Sequence, residues 1–240
     1  QKESKTWLDE KTNEINSKLE ALVTNAVKDA QSLDIYINNE EFELAYTSAL
    51  RFSEAYTYLK AKNVIIAKIS EIENKSNQLK DAAIKECQDN LKTLEYYEMN
   101  ISLGRSLGKL KKTKAHEELQ NYHDNVKGCI ELHDKISKML NDGAPVQVNW
   151  SGEVDGAFDI TSYKVKSYDK KAVTFLYKSG KDKDELSKTI RWEKFEKVKL
   201  YLIYESVLNY YNKLDDYKEQ MAGFIKVHNI TDKELEIRDK

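Results

Sequence analysis

The first 103 residues contain neither glycine nor proline, and this absence constrains the fold more than any other feature of the sequence. Glycine and proline are the residues that most often interrupt a helix, so a stretch without either can stay helical over many turns. Apolar residues recur along it at every third or fourth position, as they do on the buried face of a helix. In the first helix this face comprises Leu8, Ile15, Leu19, Leu22 and Ala26. The sequence therefore predicts long helices throughout residues 1–103.

Two interruptions are expected inside this region. Asn38 and Asn39 are poor helix formers, and the acidic residues Glu40 and Glu41 that follow them suit the positive end of a new helix. Asn63 is expected to mark a kink or a break before the next apolar run.

Two longer runs have the alternating three- and four-residue spacing that is typical of a coiled-coil seam. The first run contains Ile84, Cys87, Leu91, Leu94 and Ile101, and the second contains Leu119, Tyr122, Val126, Cys129, His133, Ile136 and Leu140. Between them lies the sequence Gly-Arg-Ser-Leu-Gly at 104–108, whose glycines permit the left-handed backbone that closes a helix and turns the chain. We therefore predict a long antiparallel helical hairpin, or coiled-coil bundle, that turns near Gly108.

Cys87 and Cys129 are equally far from Gly108, so this hairpin would bring them side by side. Two interpretations stay open: a pair of buried thiols, or a disulfide between the two helices. In an exported protein the disulfide is favoured, and in a reducing cytosol the thiols would stay free.

His133 lies four residues after Cys129 and would share a helical face with it, so that Cys87, Cys129 and His133 could offer three zinc ligands. A fourth ligand is not evident, and a partly buried structural histidine is the better interpretation. His116, His123 and His228 are expected to be solvated surface residues. No metal and no other cofactor is predicted.

After Asp142-Gly143-Ala144-Pro145 the apolar period changes from helical to two, which is typical of strands. Strands are predicted over 146–150, 160–167, 172–177 and 186–192. Helix returns over 195–211, and Thr231 with Glu234 forms a capping box for a last short helix.

The predicted fold class is thus mainly α with a small antiparallel β unit of three to five strands. Three parts are expected along the chain: a helical bundle over 1–142, a β module over 143–197, and C-terminal helices over 198–240 that pack back on one of them.

The region from 163 to 192 has a recognisable order of features: a strand, a charged turn, a Val-Thr-Phe-Leu-Tyr strand, a Ser-Gly-Lys turn, and an Ile-Arg-Trp-Glu-Lys-Phe run that leads into a helix. With its flanks, over 146–198, it resembles the small SH3-like β modules of secreted or kinase-associated proteins of planctomycete-type bacteria. The resemblance implies an interaction module and no reaction. Most aromatic residues of this unit are expected in its core, whereas Trp150 and Tyr168, near predicted turns, are the candidate binding face.

Two other motifs have structural interpretations. Residues 104–108 match the Gly-x-Ser-x-Gly elbow of serine hydrolases, but that elbow joins a strand to a helix, and here helices are predicted on both sides. The basic cluster at 109–114 is expected to be a solvated helix start near the hairpin tip.

Composition narrows the function classes. Lys and Arg number 39 and Asp and Glu 41, so the formal net charge of −2 gives no overall field that attracts nucleic acid or an anionic membrane. No apolar run approaches the roughly 18 residues of a membrane-spanning helix. Because the chain begins at Gln1 rather than Met, we expect a secreted or periplasmic protein, with the cytoplasm as the alternative.

These observations favour a non-enzymatic protein-protein interaction or scaffold module, whose partner is a protein and whose oligomeric state stays open. One alternative is a ligand-sensing ectodomain of a larger membrane protein. Another is an enzyme with a dispersed active site, since such sites leave no linear motif.

Overall fold

The fold is mainly helical with a small antiparallel sheet, as predicted. The computed structural model describes residues 2–143, 145–146, 163–168, 172–178, 185–191 and 194–236. Its helices are α1 (Lys2–Ser32), α2 (Asp34–Asn38), α3 (Phe42–Ala55), α4 (Leu59–Leu91), α5 (Tyr96–Leu110), α6 (Lys114–Asn141), α7 (Lys197–Tyr210), α8 (Lys218–Val227) and α9 (Asp232–Glu236). Its strands are β1 (Pro145–Val146), β2 (Tyr163–Tyr168), β3 (Ala172–Lys178) and β4 (Glu185–Arg191).

The predicted helix break at Asn38 and Asn39 is confirmed. Helix α2 ends at Asn38, and Glu40 takes a positive φ of 58° that turns the chain into α3. No helix break occurs at Asn63, which lies inside α4, and the break falls earlier, between Ala55 and Leu59.

The position predicted for the turn, near Gly108, is wrong, although the start of α5 does pair with α6 in the antiparallel sense. Gly104 and Gly108 lie inside α5, and the chain turns after it instead, where Lys112 has φ 66°. A second turn precedes α5, where Leu94 has φ 53°. A positive φ is unusual for residues other than glycine. Because both turns use a residue with a side chain, no glycine marks either turn in the sequence. The region that was predicted to form two long helices therefore forms three, α4, α5 and α6.

The chain divides into two compact units, and the first comprises Gln1–Ile84 and Gly104–Gln120. Small side chains dominate its buried positions on α1, α3 and α4, which allows helix axes to approach closely. They are Ala26, Ala30, Ala45, Ala49, Ala61 and Ala83. Cross-element ion pairs join Lys68 to Asp34 and Lys80 to Glu118 in this unit.

The apolar face predicted for α1 is buried only toward the end of the helix. Ala26 is fully buried, whereas Leu8 and Ile15 are each 57% exposed. The contact of α1 that is best defined also lies near its end, where the Tyr56 hydroxyl donates a hydrogen bond to Asp29 at 2.6 Å. The spacing of the apolar residues predicted the helix correctly and did not predict which part of it would be covered.

The second unit comprises Lys85–Leu103 and Asn121–Lys240. Here the start of α5 pairs with α6 in the antiparallel sense, through contacts of Tyr97 with Asp134 and of Asn100 with His123. Helices α6 and α8 approach closely at Gly223, where an added Cβ would lie 3.2 Å from Oδ1 of Asn125. The buried residues predicted on α6 are largely found, among them Val126, Cys129 and Ile136.

The strands form one sheet in the order β1-β2-β3-β4, with antiparallel pairing throughout. Val173 of β3 pairs with Ile190 of β4, and both side chains are buried. The register between β2 and β3 shifts between Val165 and Ser167. The SH3-like topology and the three-part division of the chain stay predictions.

The helix predicted over 195–211 is found as α7, and Tyr201, Val207 and Leu208 are buried on it. The capping box is confirmed, because the Thr231 backbone N–H donates to Glu234 at 2.7 Å and the Glu234 N–H donates to the Thr231 hydroxyl at 3.3 Å. Within the part of the chain that the structure describes, no helix is both long enough and apolar enough to traverse a membrane.

Candidate functional site

A cleft of about 550 Å³ opens in the second unit where α5 begins. The turn before α5, the first turn of α5, one face of α6 and the end of β4 surround it. Its lining residues are Thr93, Leu94, Glu95, Tyr96, Tyr97, Glu98, Ile130, His133, Asp134 and Arg191. This volume lies within the range of sites that bind small ligands or single side chains of a partner.

The turn at Leu94 decides which side chains face the cleft. The positive φ of Leu94 ends the previous helical run, and the Glu95 N–H donates to the Asn90 carbonyl at 3.0 Å, which closes the turn. Helix α5 then starts with Tyr96 buried and Tyr97 49% exposed. Adjacent tyrosines thus have opposite roles, one in the floor of the cleft and one on its rim.

The floor of the cleft rests on a cluster of tyrosine and histidine side chains. The Tyr96 hydroxyl is hydrogen-bonded to Nε2 of His228 at 2.7 Å, and the Tyr204 hydroxyl is hydrogen-bonded to Nδ1 of His133. The Tyr96 ring meets both imidazoles edge-on, at centroid distances of 5.8 Å for His133 and 5.9 Å for His228. Phe224 stacks on His228 at 4.1 Å. Four elements, α5, α6, α7 and α8, are joined in this cluster.

Both imidazoles of the cluster are neutral at neutral pH. Burial lowers the pKa of His133 to about 4, because desolvation disfavours the imidazolium ion. Burial also lowers the pKa of His228 to about 4, and the positive charge of Lys197 adds to the effect. A neutral imidazole offers one donor and one acceptor, so it can pair with a tyrosine hydroxyl without burying a charge.

The rim of the cleft carries most of its charge. The Tyr97 hydroxyl donates a hydrogen bond to Oδ2 of Asp134 at 2.5 Å, and this bond together with burial raises the pKa of Tyr97. Glu95 and Glu98 add two further carboxylates, and Arg191 adds one guanidinium. Among the lining residues that the structure describes, negative charge is therefore in excess over positive charge.

The polar atoms of the floor pair with one another across helices, Tyr96 with His228 and Tyr204 with His133. Among the residues that the structure describes, no group of three His, Cys, Asp or Glu side chains is placed to hold a metal ion.

The predicted disulfide between Cys87 and Cys129 is not present. Both cysteines are buried free thiols. The prediction assumed one turn between them at Gly108, whereas the chain turns near Leu94 and near Lys112, and the two thiols are not bonded. Burial raises the pKa of Cys87 to about 11 and that of Cys129 to about 12, so both thiols stay protonated and act as small apolar side chains.

The histidines differ from their predicted roles in two cases. His123 and His228 were expected at the surface. His123 is only 8% exposed, and its Nε2 lies 2.7 Å from Oδ1 of Asn100, while His228 is held by Tyr96. His133 is the partly buried structural histidine that we predicted, with Tyr204 as its partner.

The other predicted candidates lie elsewhere. Trp150 is outside the described residues, and Tyr168 is the last residue of β2, with a side chain that is not described. In the basic cluster, Lys109 pairs with Glu40 at 2.5 Å and Lys112 with Glu43 at 3.4 Å, so part of its charge is compensated within the first unit.

Sequence reasoning missed the cleft, although one signal was available. The apolar run through Leu91 and Leu94 requires an apolar residue at 98 before Ile101, and position 98 is a glutamate. The buried face of α5 is instead formed by Tyr96, Met99 and Leu103, while Ile101 is 47% exposed. The gap at Glu98 thus marked a change of helical phase, and hence a helix break.

No protein-family model, no curated protein and no solved structure matches the chain. The cleft is therefore interpreted from its own geometry and charge.

Proposed function

We propose that this chain is a non-enzymatic protein-interaction module and that the cleft at the start of α5 is its binding site. The observation that carries the proposal is the cleft itself, about 550 Å³ in volume, with an aromatic floor that four helices hold in place. A floor braced in this way changes little on binding, which keeps the entropic cost of association low.

Two properties of the lining support protein recognition. Tyr97 is half exposed on the rim, and tyrosine supplies large contact area at a small entropic cost, as interface residues commonly do. The charged residues Glu95, Glu98 and Arg191 surround apolar side chains, as at the polar rim of an interface.

A site-specific photocrosslink tests this proposal. Benzoylphenylalanine is incorporated in place of Tyr97, and cells of the source organism that produce the variant are irradiated. The control carries the same group in place of Tyr210, which is 58% exposed on α7 and does not line the cleft. We expect protein adducts of defined mass at position 97 and none of the same mass at position 210. Equal labelling at both positions, or adducts at neither, contradicts the proposal.

The SH3-like character of residues 146–198 belongs to the same proposal. It is supported by the consecutive antiparallel pairing of β2, β3 and β4. In this interpretation the β module provides a second contact through Trp150 and Tyr168. Benzoylphenylalanine in place of Tyr168 tests that contact, and an adduct of the mass found at position 97 is expected.

A further inference from the structure

We infer that the cleft at the start of α5 binds a basic side chain, Lys or Arg, of the partner protein. The inference rests on the proposed function and specifies the chemistry of that site. It follows from the charge of the rim and the apolar character of the floor.

Among the lining residues that the structure describes, the carboxylates of Glu95, Glu98 and Asp134 face the guanidinium of Arg191, and His133 is neutral, so negative charge is in excess. The N-terminus of α5 adds a partial positive charge of about +0.5, which is too small to reverse the sign. A cation entering the cleft therefore gains favourable Coulomb energy, and an anion loses it.

The apolar side chains of the floor favour a cation that is attached to an apolar chain. Tyr96 is buried and Leu94 and Ile130 are half-buried, whereas the three carboxylates are exposed, so a small inorganic cation held by the carboxylates would leave this apolar surface uncovered. Lys and Arg carry three or four methylene groups behind the charge and bury them readily while the charged head stays near water. The exposed carboxylates suit the charged head group of Lys or Arg, and the more buried apolar side chains suit its methylene groups.

The carboxylate of Asp134 is held in place by a hydrogen bond. Its Oδ2 accepts the hydrogen bond from the Tyr97 hydroxyl at 2.5 Å, which orients the carboxylate. A basic head group that binds next to it also lies beside the Tyr97 ring, where a cation–π contact adds to the attraction.

Peptides that differ in one side chain test the inference. The probes are acetyl-Ala-Ala-X-Ala-Ala-amide with X as Lys, Arg, norleucine or Glu, added at millimolar concentration to the ¹⁵N-labelled full chain and followed by amide chemical shifts. We expect the Lys and Arg peptides to shift the signals of Tyr97, Glu98 and Asp134. Norleucine keeps the apolar part of the Lys side chain without its charge. We expect the norleucine peptide to bind roughly fivefold more weakly than the Lys peptide, because it lacks the contribution of one partly exposed charge pair. The Glu peptide is expected to be weakest.

Matched charge variants locate the binding. Glu98→Gln and Asp134→Asn are expected to weaken the Lys peptide. Glu219→Gln removes the same charge from the exposed face of α8 and is expected to leave its affinity unchanged. Added salt should reduce the preference for Lys over norleucine, because it screens the rim.

Several results would overturn the inference: norleucine binding as tightly as Lys, Glu binding more tightly than Lys, no cleft shifts with any peptide, or equal losses in Glu219→Gln and Glu98→Gln. If these results occur while the Tyr97 crosslink still captures a protein, the interaction function stands and only the ligand chemistry is wrong.

Discussion

The Tyr96 hydroxyl lies 2.7 Å from Nε2 of His228, a residue 132 positions later in the chain. The bond joins the first turn of α5 to the C-terminal end of α8. Because Tyr96 also forms part of the cleft floor, the shape of the site depends on this bond.

Tyr96→Phe tests the bond directly. The change removes the hydroxyl and leaves a buried imidazole nitrogen without this partner, so we expect the free energy of unfolding to fall by about 1–3 kcal/mol. Urea unfolding followed by circular dichroism measures it. The control, Tyr210→Phe, removes a hydroxyl from a residue that is 58% exposed, and it is expected to change stability little. Equal effects of the two changes would mean that the bond contributes nothing.

The low pKa values of His133 and His228 predict acid sensitivity. Both are about 4 in the folded chain, against 6.5 for an ordinary histidine. Between these values the unfolded chain binds protons that the folded chain does not, so stability present above pH 6.5 is lost as the pH falls toward 4. The slope approaches about 1 kcal/mol per pH unit for each histidine.

His228→Gln separates this effect from the titration of carboxylates. Glutamine keeps a hydrogen-bonding side chain next to Tyr96 and does not titrate, so stability should fall less steeply between pH 6.5 and pH 5 than in the parent chain. Urea midpoints at several pH values give both slopes. Parallel slopes for variant and parent would count against the burial of His228 as the cause.

Alanine substitutions distinguish a helix from a turn at Gly104 and Gly108. Both glycines lie inside α5, and an added Cβ would meet nothing within 4 Å at either position. Because alanine is the better helix former, each substitution should raise the free energy of unfolding by about 1 kcal/mol. If the chain turned at these glycines with positive φ, alanine would destabilise it instead.

Gly223→Ala is the matched comparison on α8. There the new Cβ would lie 3.2 Å from Oδ1 and 3.5 Å from Cα of Asn125, so the Asn125 side chain must shift by a few tenths of an ångström. We expect this variant to be less stable than Gly108→Ala by about 1 kcal/mol or more. Thermal or urea unfolding of both variants gives the comparison, and equal stabilities would show that the two helices are not in close contact at this point.

Alkylation reports the state of the two cysteines. Both are buried with raised pKa values, so iodoacetamide should modify neither in the folded chain within the time that modifies an exposed thiol. In urea without reductant both should react, giving a mass increase of two adducts. Absence of reaction in urea until a reductant is added would establish the disulfide instead.

The features predicted correctly from sequence depend on neighbours in the chain. The Thr231 and Glu234 capping box needs only the spacing of two residues, and the strands near Val173 and Ile190 need only alternation and turn residues. Local patterns of this kind determine local structure directly.

The errors have a different physical origin. A turn that uses Leu94 or Lys112 at positive φ costs free energy locally and forms because the packing of neighbouring helices stabilises it. The glycines at 104 and 108 led us to predict a turn, whereas both lie inside α5. The cleft could not be predicted, because Tyr96, His133 and Tyr204 come from three helices and His228 follows a fourth, α8, and the arrangement of these helices depends on those turns.

The second unit is assembled from Lys85–Leu103 and Asn121–Lys240, and this division has a consequence for synthesis. On the ribosome, Tyr96 emerges 132 residues before His228, so until His228 has been translated the Tyr96 hydroxyl is hydrogen-bonded to water instead. Such a long delay exposes an apolar stretch to other nascent chains and to chaperones, and slow, late closure is expected for contacts so far apart in the chain.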